Sequence, residues 1–156
     1  MKKQILIIVA GLAMAITTTT YAADKISTDP PLANAREKAV KDFNKKAGSS
    51  VNPNLYTVDN GFILQLPSKD VNVRSAYNDK GNWVYTISRY TPANFSKKVV
   101  ETVKDSYAGY NISSIEKVEQ PGKNLVYVVS INNDKTIKTL RISNNEVELI
   151  KNYQKA

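Results

Sequence analysis

The sequence predicts an α+β fold in which a helix and a group of antiparallel strands occur twice. Apolar residues recur every three or four positions in two separate segments, which indicates two amphipathic helices. In the segments after each helix, apolar and polar residues alternate between turn signals, which indicates strands. Because the order repeats, we expect a tandem duplication with half-repeats at about residues 35–91 and 92–156. The two halves would form one continuous antiparallel sheet with two helices on one face.

The N-terminus has the three parts of a secretory signal peptide. Lys2 and Lys3 precede a short apolar run at residues 5–16, and small residues follow at the −3 and −1 positions of a cleavage site after Ala22. About a dozen apolar residues are fewer than the roughly 20 that a membrane span needs. A buried N-terminal helix is the alternative, but the flanking lysines and threonines disfavour it. We therefore expect a cleaved signal peptide at residues 1–22 and no transmembrane segment after cleavage.

A leader and then a single domain are expected after the signal peptide. The pair Pro30-Pro31 predicts an extended leader at residues 23–34, because proline does not continue a helix. The domain should occupy residues 35–156. Its first helix is predicted over residues 33–46, with Gly48 as the C-terminal stop.

The second helix is predicted to begin near Thr91 and to end at Gly109. Val40-Lys41-Asp42 in the first helical segment recurs as Val103-Lys104-Asp105 in the second, which agrees with a duplication. The apolar stripe of the second helix consists of Phe95, Val99, Val103 and Tyr107.

Alternation and turn residues predict the strands, with a hairpin turn at residues 78–81 that ends in Gly81. Residues 51–59 are read as irregular or as a weak strand that Pro53 breaks. The predicted strands cover residues 62–66, 71–77, 83–88, 112–118, 125–131, 136–142 and 147–153.

Alternation also divides the sheet into a core face and an open face. The predicted core face holds Phe62, Leu64, Leu66, Trp83, Tyr85 and Ile87. For this reason we expect Trp83→Ala to cost on the order of 3–5 kcal/mol by cavity formation. The predicted open face holds Ile63, Gln65, Arg74, Val84, Thr86, Tyr90, Val126, Val128, Thr139, Arg141 and Ile150.

The open face is unusually apolar for a surface in water, and it includes residues that often anchor interfaces. We predict that Arg74, Tyr90 and Arg141 contact a partner. An ordinary, partly solvated sheet face is the alternative reading of the same residues.

Composition removes several function classes. The chain holds 22 Lys and Arg against 14 Asp and Glu, and it contains neither Cys nor His. Disulfides, thiolate nucleophiles, imidazole bases and His or Cys ligands for zinc are therefore excluded. The lysines are scattered rather than clustered with stacking aromatics, so nucleic-acid binding is not expected. The net charge of +8 permits a weak attraction to anionic surfaces.

Catalytic, metal and cofactor sites are not expected. Asp42 with Asp105, or Glu116 with Glu119, could form a carboxylate pair, but their neighbourhoods rich in lysine indicate surface charges. The turn at residues 132–135 lacks the glycine and the terminal glutamate of a calcium loop.

Residues 73–83, a strand, a turn with Gly81 and a second strand, resemble small exported PepSY-like proteins of Gram-negative bacteria. Residues 99–112, a helix that passes into a strand, resemble the same family. That family is similar in fold to the beta-lactamase-inhibitory protein (BLIP). The resemblance covers about residues 35–153 and implies a tandem helix-plus-sheet fold in a periplasmic or secreted protein. It implies no catalytic or inhibitory contact residue.

Two functions remain open. The first is a non-enzymatic binding or inhibitor-like module that uses the open sheet face to bind a protein or peptide of the cell envelope. The alternative is a structural or stress-related envelope protein whose basic surface contacts anionic lipid or polysaccharide.

Overall fold

A computed structural model describes residues 30–48, 52–66, 68 and 70–155. The predicted signal peptide and residues 23–29 of the predicted leader lie outside these residues. The described chain contains two α-helices, a short 3₁₀ helix and eight strands. In chain order they are α1 (Pro30–Ala47), β1 (Asn54–Val58), β2 (Gly61–Leu66), β3 (Val71–Asn78), β4 (Trp83–Tyr90), the 3₁₀ helix (Pro92–Asn94), α2 (Lys97–Ser106), β5 (Asn111–Glu119), β6 (Val126–Asn132), β7 (Thr136–Ser143) and β8 (Glu146–Gln154).

The eight strands form one antiparallel sheet whose spatial order follows the chain from β1 to β8. Short connections join most neighbours, as antiparallel pairing permits, while the 3₁₀ helix and α2 lie between β4 and β5. The predicted α+β class and single antiparallel sheet are confirmed. The segment read as irregular or as a weak strand is the edge strand β1, and Pro53 precedes it rather than breaking it.

Helix α1 begins at Pro30, so the predicted leader gives way to helix before Asn34. The first N–H groups of a helix have no intrahelical acceptor, and the two prolines therefore fit its first turn at no loss of hydrogen bonds. Gly48 follows the helix with a φ of +71°, a left-handed conformation that commonly ends helices. No helix in the described part of the chain combines the length and apolar character of a membrane span.

The predicted second helix is divided in two. The 3₁₀ helix ends before Phe95, which is extended at φ −121° and ψ 168°. Its ring centroid lies 4.8 Å from that of Tyr90 and 5.3 Å from that of Tyr127. Ser96 then has the non-helical conformation of an N-cap, and α2 starts at the next residue. The break lets the Phe95 ring pack against the sheet.

Each helix packs on its own part of the sheet. In α1, apolar residues spaced four apart point to one side, which is the side that contacts β2 and β3. Burial of each large apolar side chain contributes roughly 1.5–3 kcal/mol. The α1 cluster contains the buried residues Ala35, Ala39, Phe43, Phe62, Leu64 and Tyr77. The α2 cluster contains Val103, Ile115, Val129, Ile131, Leu140 and Ile142.

A β-bulge in the hairpin of β3 and β4 changes the expected faces. Trp83 is directly opposed to Tyr77, whereas Tyr85 is opposed to the adjacent Ala76, so β4 has one extra residue, Val84. The extra residue reverses the alternation for the rest of β4. Trp83 packs against the α1 cluster as predicted, but the prediction that Tyr85 and Ile87 share its face is wrong.

The same reversal moves Thr86 off the predicted open face. Thr86 is buried, its hydroxyl lies 2.7 Å from Ser75 Oγ, and it accepts a hydrogen bond from Trp83 Nε1 at 2.9 Å. Val84, at the bulge, is 42% exposed. Two further register shifts occur in the sheet, between Ile112 and Ser114 where β5 pairs with β6 and between Thr139 and Leu140 where β7 pairs with β8.

Candidate functional site

One face of the sheet carries three arginines, Arg74, Arg89 and Arg141, and we call it the arginine face. Directly opposed residues on neighbouring strands have their side chains on the same side of a sheet, so cross-strand pairs trace rows across it. The first row runs through Asn54, Gln65, Arg74, Ile87, Val118 and Val126. The second row runs through Asn72, Arg89, Glu116, Val128, Arg141 and Glu148.

Two arginines of the second row form ion pairs across adjacent strands. Arg89 donates from both Nε and Nη2 to Glu116 Oε1, with the Nε bond at 2.8 Å. Arg141 Nη1 donates to Glu148 Oε2 at 3.3 Å. The Arg141 Nε atom is buried and has no hydrogen-bond partner among the described residues. These pairs neutralise most of the charge along the second row.

Apolar side chains fill the middle of the arginine face. Ile87, Val118 and Val126 lie next to one another in the first row, and Val128 follows in the second. All four are half-buried. A sheet face that meets only water is normally polar, so a strip of branched apolar residues indicates a surface that another molecule can cover.

Arg74 stands at one end of the apolar strip without an acidic neighbour. Its side chain is exposed, and its directly opposed residues are Gln65 and Ile87. No described Asp or Glu forms an ion pair with Arg74, whereas the other two arginines of the face are paired. Its guanidinium can therefore offer two parallel N–H groups to a ligand carboxylate.

The three predicted contact residues do not come together. Arg74 and Arg141 both lie on the arginine face, and their contact with a partner stays a prediction. Tyr90 instead lies opposite Ile115 of the α2 cluster, with its ring against Phe95. The expectation that Tyr90 shares a face with the two arginines is wrong, because the bulge reverses the alternation of β4 before Tyr90.

Three of the four acidic residues that could have formed catalytic pairs, Asp42, Glu116 and Glu119, are engaged by other side chains. Asp42 accepts a hydrogen bond from Tyr77 at 2.9 Å, and Glu119 pairs with Lys117 at 2.9 Å. Glu116 forms an ion pair with Arg89. Glu116 and Glu119 are three residues apart on β5, so their side chains point to opposite sides of the strand. Within the described ranges, no three acidic side chains are grouped to hold a metal ion.

Sequence reasoning missed Arg89, Glu116, Ile87 and Val118 as parts of this face. Two of these residues lie on β4 beyond the bulge, and two lie on β5. Opposite charges at residues 89 and 116 are a signal only when the register between β4 and β5 is known. That register is not fixed by a hairpin, because α2 lies between the two strands.

Comparison with known proteins places the fold but not the activity. No protein-family model matches the chain, and no curated protein matches it. A DUF2874 family protein from Bacteroides ovatus is similar in structure, with a TM-score of 0.59 and 17% identity over 81% of this chain and 89% of that chain. A BLIP-like protein from Bacteroides fragilis has a TM-score of 0.56 and 15% identity over 75% of this chain and 84% of that chain.

The chain has a BLIP-like fold. A third similar structure is a protein of Bacteroides eggerthii provisionally described as periplasmic, with a TM-score of 0.55 and 8% identity over 74% of this chain and 86% of that chain. Identities this low support a shared fold and nothing finer. The resemblance to PepSY-like proteins stays a prediction.

Proposed function

We propose that this chain is an exported, non-enzymatic module that binds a partner protein through the arginine face. The observation that carries the proposal is the apolar strip of Ile87, Val118 and Val126 beside Arg74, which is exposed and forms no ion pair within the described part of the chain. An apolar centre with a polar rim is the usual anatomy of an interface, and arginine is enriched among its anchors. The predicted signal peptide and the resemblance to exported proteins favour a periplasmic or secreted location in a Gram-negative bacterium.

Both helices, in this proposal, cover the other face of the sheet and leave the arginine face open. Leu64 of the α1 cluster is opposed to Ser75, which is opposed to Thr86. Thr86 and Tyr90 are four residues apart on β4, so their side chains point the same way. Tyr90 is opposed to Ile115 of the α2 cluster. This series of pairs supports a single helix-covered face.

The proposal includes an origin by tandem duplication. Each half consists of one α-helix followed by four strands, and each half ends in a bulged hairpin. Ala35, Ala39 and Phe43 line the packed side of α1, and Val99, Val103 and Tyr107 line that of α2 with the same spacing. Each residue of the second set follows its counterpart by 64 positions, which supports the half-repeats at about residues 35–91 and 92–156. In this alignment Ala39, and not Val40 as in the sequence pattern, corresponds to Val103.

Charge complementarity indicates the chemistry of the partner. Arg89 and Arg141 already have carboxylate partners within the chain, whereas Arg74 has none among the described residues. A partner that covers the strip would bury the Arg74 guanidinium, and a buried charge is tolerated only when it is paired. We therefore infer that the partner contributes an Asp or Glu side chain next to apolar residues that contact Val118 and Val126.

Site-specific photocrosslinking tests this function. A photoreactive phenylalanine analogue at Val118 should form an adduct with one discrete protein in cells that export the chain. Mass spectrometry should place the adduct in a segment of that protein that contains Asp or Glu. Arg74→Glu should abolish the adduct, whereas Arg74→Lys should retain part of it because the positive charge remains.

Two matched controls separate position from charge. The same analogue at Glu101, which is exposed on α2, should not form the adduct. Lys41→Glu changes the net charge as much as Arg74→Glu does, but from an exposed position on α1, and it should leave the adduct intact. Capture of the same protein from Glu101, or an adduct that survives Arg74→Glu, would contradict the proposal.

The alternative function, contact of the basic surface with anionic lipid or polysaccharide, is supported by the net charge, which is +8 for the full sequence and +6 after removal of the predicted signal peptide with Lys2 and Lys3. The strength of such binding depends on salt, because the Debye length falls from about 30 Å at 0.01 M to about 8 Å at 0.15 M ionic strength. Sedimentation with vesicles that contain phosphatidylglycerol should then weaken steeply over this range. Arg74→Glu and Lys41→Glu should weaken it equally, which distinguishes this function from binding through the arginine face.

A further inference from the structure

The two edges of the sheet are protected to different degrees. An edge strand presents unpaired N–H and C=O groups, and proteins commonly block such strands with charges and bulges. Strand β8 has both protections, because it carries Glu146, Glu148 and Lys151 and its pairing with β7 contains a bulge. Strand β1 has five residues, none of them charged, and its pairing with β2 is regular. Among the residues that the structure describes, β1 is therefore the edge without charges or a bulge.

The hairpin of β1 and β2 fixes which backbone groups of β1 point outward. Val58 and Gly61 are opposed across a two-residue turn, so they form the hydrogen-bonded pair that closes the hairpin. Hydrogen-bonded and non-hydrogen-bonded pairs alternate along antiparallel strands. Tyr56 therefore bonds to β2, while the N–H and C=O groups of Leu55 and Thr57 point away from the sheet.

We propose that β1 pairs antiparallel with β1 of a second copy of this chain, about a two-fold axis at Tyr56. Leu55 and Thr57 are equally distant from Tyr56, so Leu55 of one copy lies opposite Thr57 of the other. The outward groups of both residues are then satisfied in both copies. The interface is isologous and closed, and it joins two eight-stranded sheets into one.

The small number of outward-pointing backbone groups on β1 favours a second copy of this chain over a longer strand from another protein. The next outward position before Leu55 is Pro53, which has no N–H group to donate. The next outward position after Thr57 is Asp59, which belongs to the turn. A long donor strand would gain few further hydrogen bonds, whereas an equally short strand matches the whole edge.

Side chains along β1 are also compatible with self-pairing. Tyr56 and Val58 are each 40% exposed, and both lie on the arginine face. The axis brings the two Tyr56 rings together, a favourable cross-strand pair, and sets Val58 opposite Asn54 of the second copy. No like charges oppose each other. Because five-residue strands bury less than the roughly 800 Å² per partner of a standard interface, the dimer should be weak and reversible.

Analytical ultracentrifugation of the purified exported protein tests the pairing. The weight-average mass should rise from one protomer toward two between about 10 µM and about 1 mM, the range of a weak interface. Thr57→Pro removes an outward N–H and Tyr56→Lys opposes two charges, so both variants should remain at one protomer mass. Tyr153→Lys on β8, at a residue that is 54% exposed, is the matched control and should associate like the wild type.

Circular dichroism shows whether Thr57→Pro still folds. Tyr56→Lys tests the pairing of β1 independently, without introducing a proline. A wild-type mass that stays at one protomer up to about 1 mM overturns the pairing, since even weak specific interfaces associate in that range. Association that survives both β1 substitutions, or that is lost only in Tyr153→Lys, also overturns it.

Discussion

The Tyr77 hydroxyl donates a hydrogen bond to Asp42 Oδ2 at 2.9 Å and so connects β3 to α1. Tyr77 is only 2% exposed. Burial, and then the hydrogen bond to Asp42 and its negative charge, raise the pKa of Tyr77 well above the ordinary tyrosine value of about 10. The folded protein therefore keeps the Tyr77 proton at pH values where the unfolded chain loses it.

Comparison with Tyr77→Phe should reveal this link in alkaline solution. Below pH 10 the wild type should be more stable by about 1 kcal/mol, the usual net value of a hydrogen bond. Above pH 10 that advantage should shrink, by at most about 1.4 kcal/mol per pH unit, because only the unfolded tyrosine releases its proton. Urea denaturation of both proteins from pH 7 to 11.5 measures the difference. A difference that stays constant across this range would show that Tyr77 titrates normally.

The overall fold could be predicted because its signals are local, whereas the faces of β4 could not. Helical spacing and alternation identify two helices and the strands without any knowledge of partners. Trp83 and Tyr85 are both large and aromatic, so either could occupy the core, and nothing in the local sequence marks Val84 as an inserted residue. The bulge depends on how the hairpin closes under α1, which is a tertiary property.

Gly81, in the turn between β3 and β4, should tolerate substitution poorly. Its φ is +70°, and a Cβ atom there would lie 2.2 Å from the carbonyl oxygen of Ala35 in α1. Gly81→Ala should therefore cost about 3 kcal/mol or more, because a left-handed conformation and a backbone collision combine. Urea denaturation at neutral pH measures the loss.

Gly122→Ala is the matched control for Gly81→Ala. Gly122 has a similar φ of +63°, but a Cβ atom would meet nothing within 4 Å. Its substitution should cost only about 1–2 kcal/mol, the price of the left-handed conformation alone. Equal losses of stability in the two variants would mean that the turn at Gly81 is not in close contact with α1.

Trp83 should contribute less than a fully buried tryptophan. It is half-buried against the α1 cluster, Lys46 Nζ lies 4.5 Å from its ring centroid, and Nε1 donates to Thr86. We expect Trp83→Ala to cost about 2–3 kcal/mol, at the lower end for large-to-small substitutions. Val84→Ala, next to it but exposed, should change stability by less than about 0.5 kcal/mol. A loss below 1 kcal/mol for Trp83→Ala would place the indole in solvent.

The candidate site could be predicted only where strands are regular and adjacent in sequence. Arg74 on β3 and Arg141 on β7 each belong to a regularly paired hairpin, β2–β3 and β6–β7, so alternation from nearby apolar residues assigns their face. Arg89 and Glu116 meet only after α2 has returned the chain to the sheet. Their pairing is a consequence of the tertiary fold, and the charges of either strand alone do not reveal it.

A double-mutant cycle at Arg89 and Glu116 should yield a small coupling energy. Arg89 is 54% exposed, and surface ion pairs contribute about 0.2–1 kcal/mol. The two hydrogen bonds that Arg89 donates favour the upper part of that range. The pair of Arg141 and Glu148 should couple more weakly, because it consists of a single 3.3 Å contact and the Glu148 side chain is 65% exposed. Both couplings should vanish near 1 M salt, where the Debye length is about 3 Å. A coupling at Arg89 and Glu116 that persists in 1 M salt would indicate that the second row is shielded from solvent even without a partner.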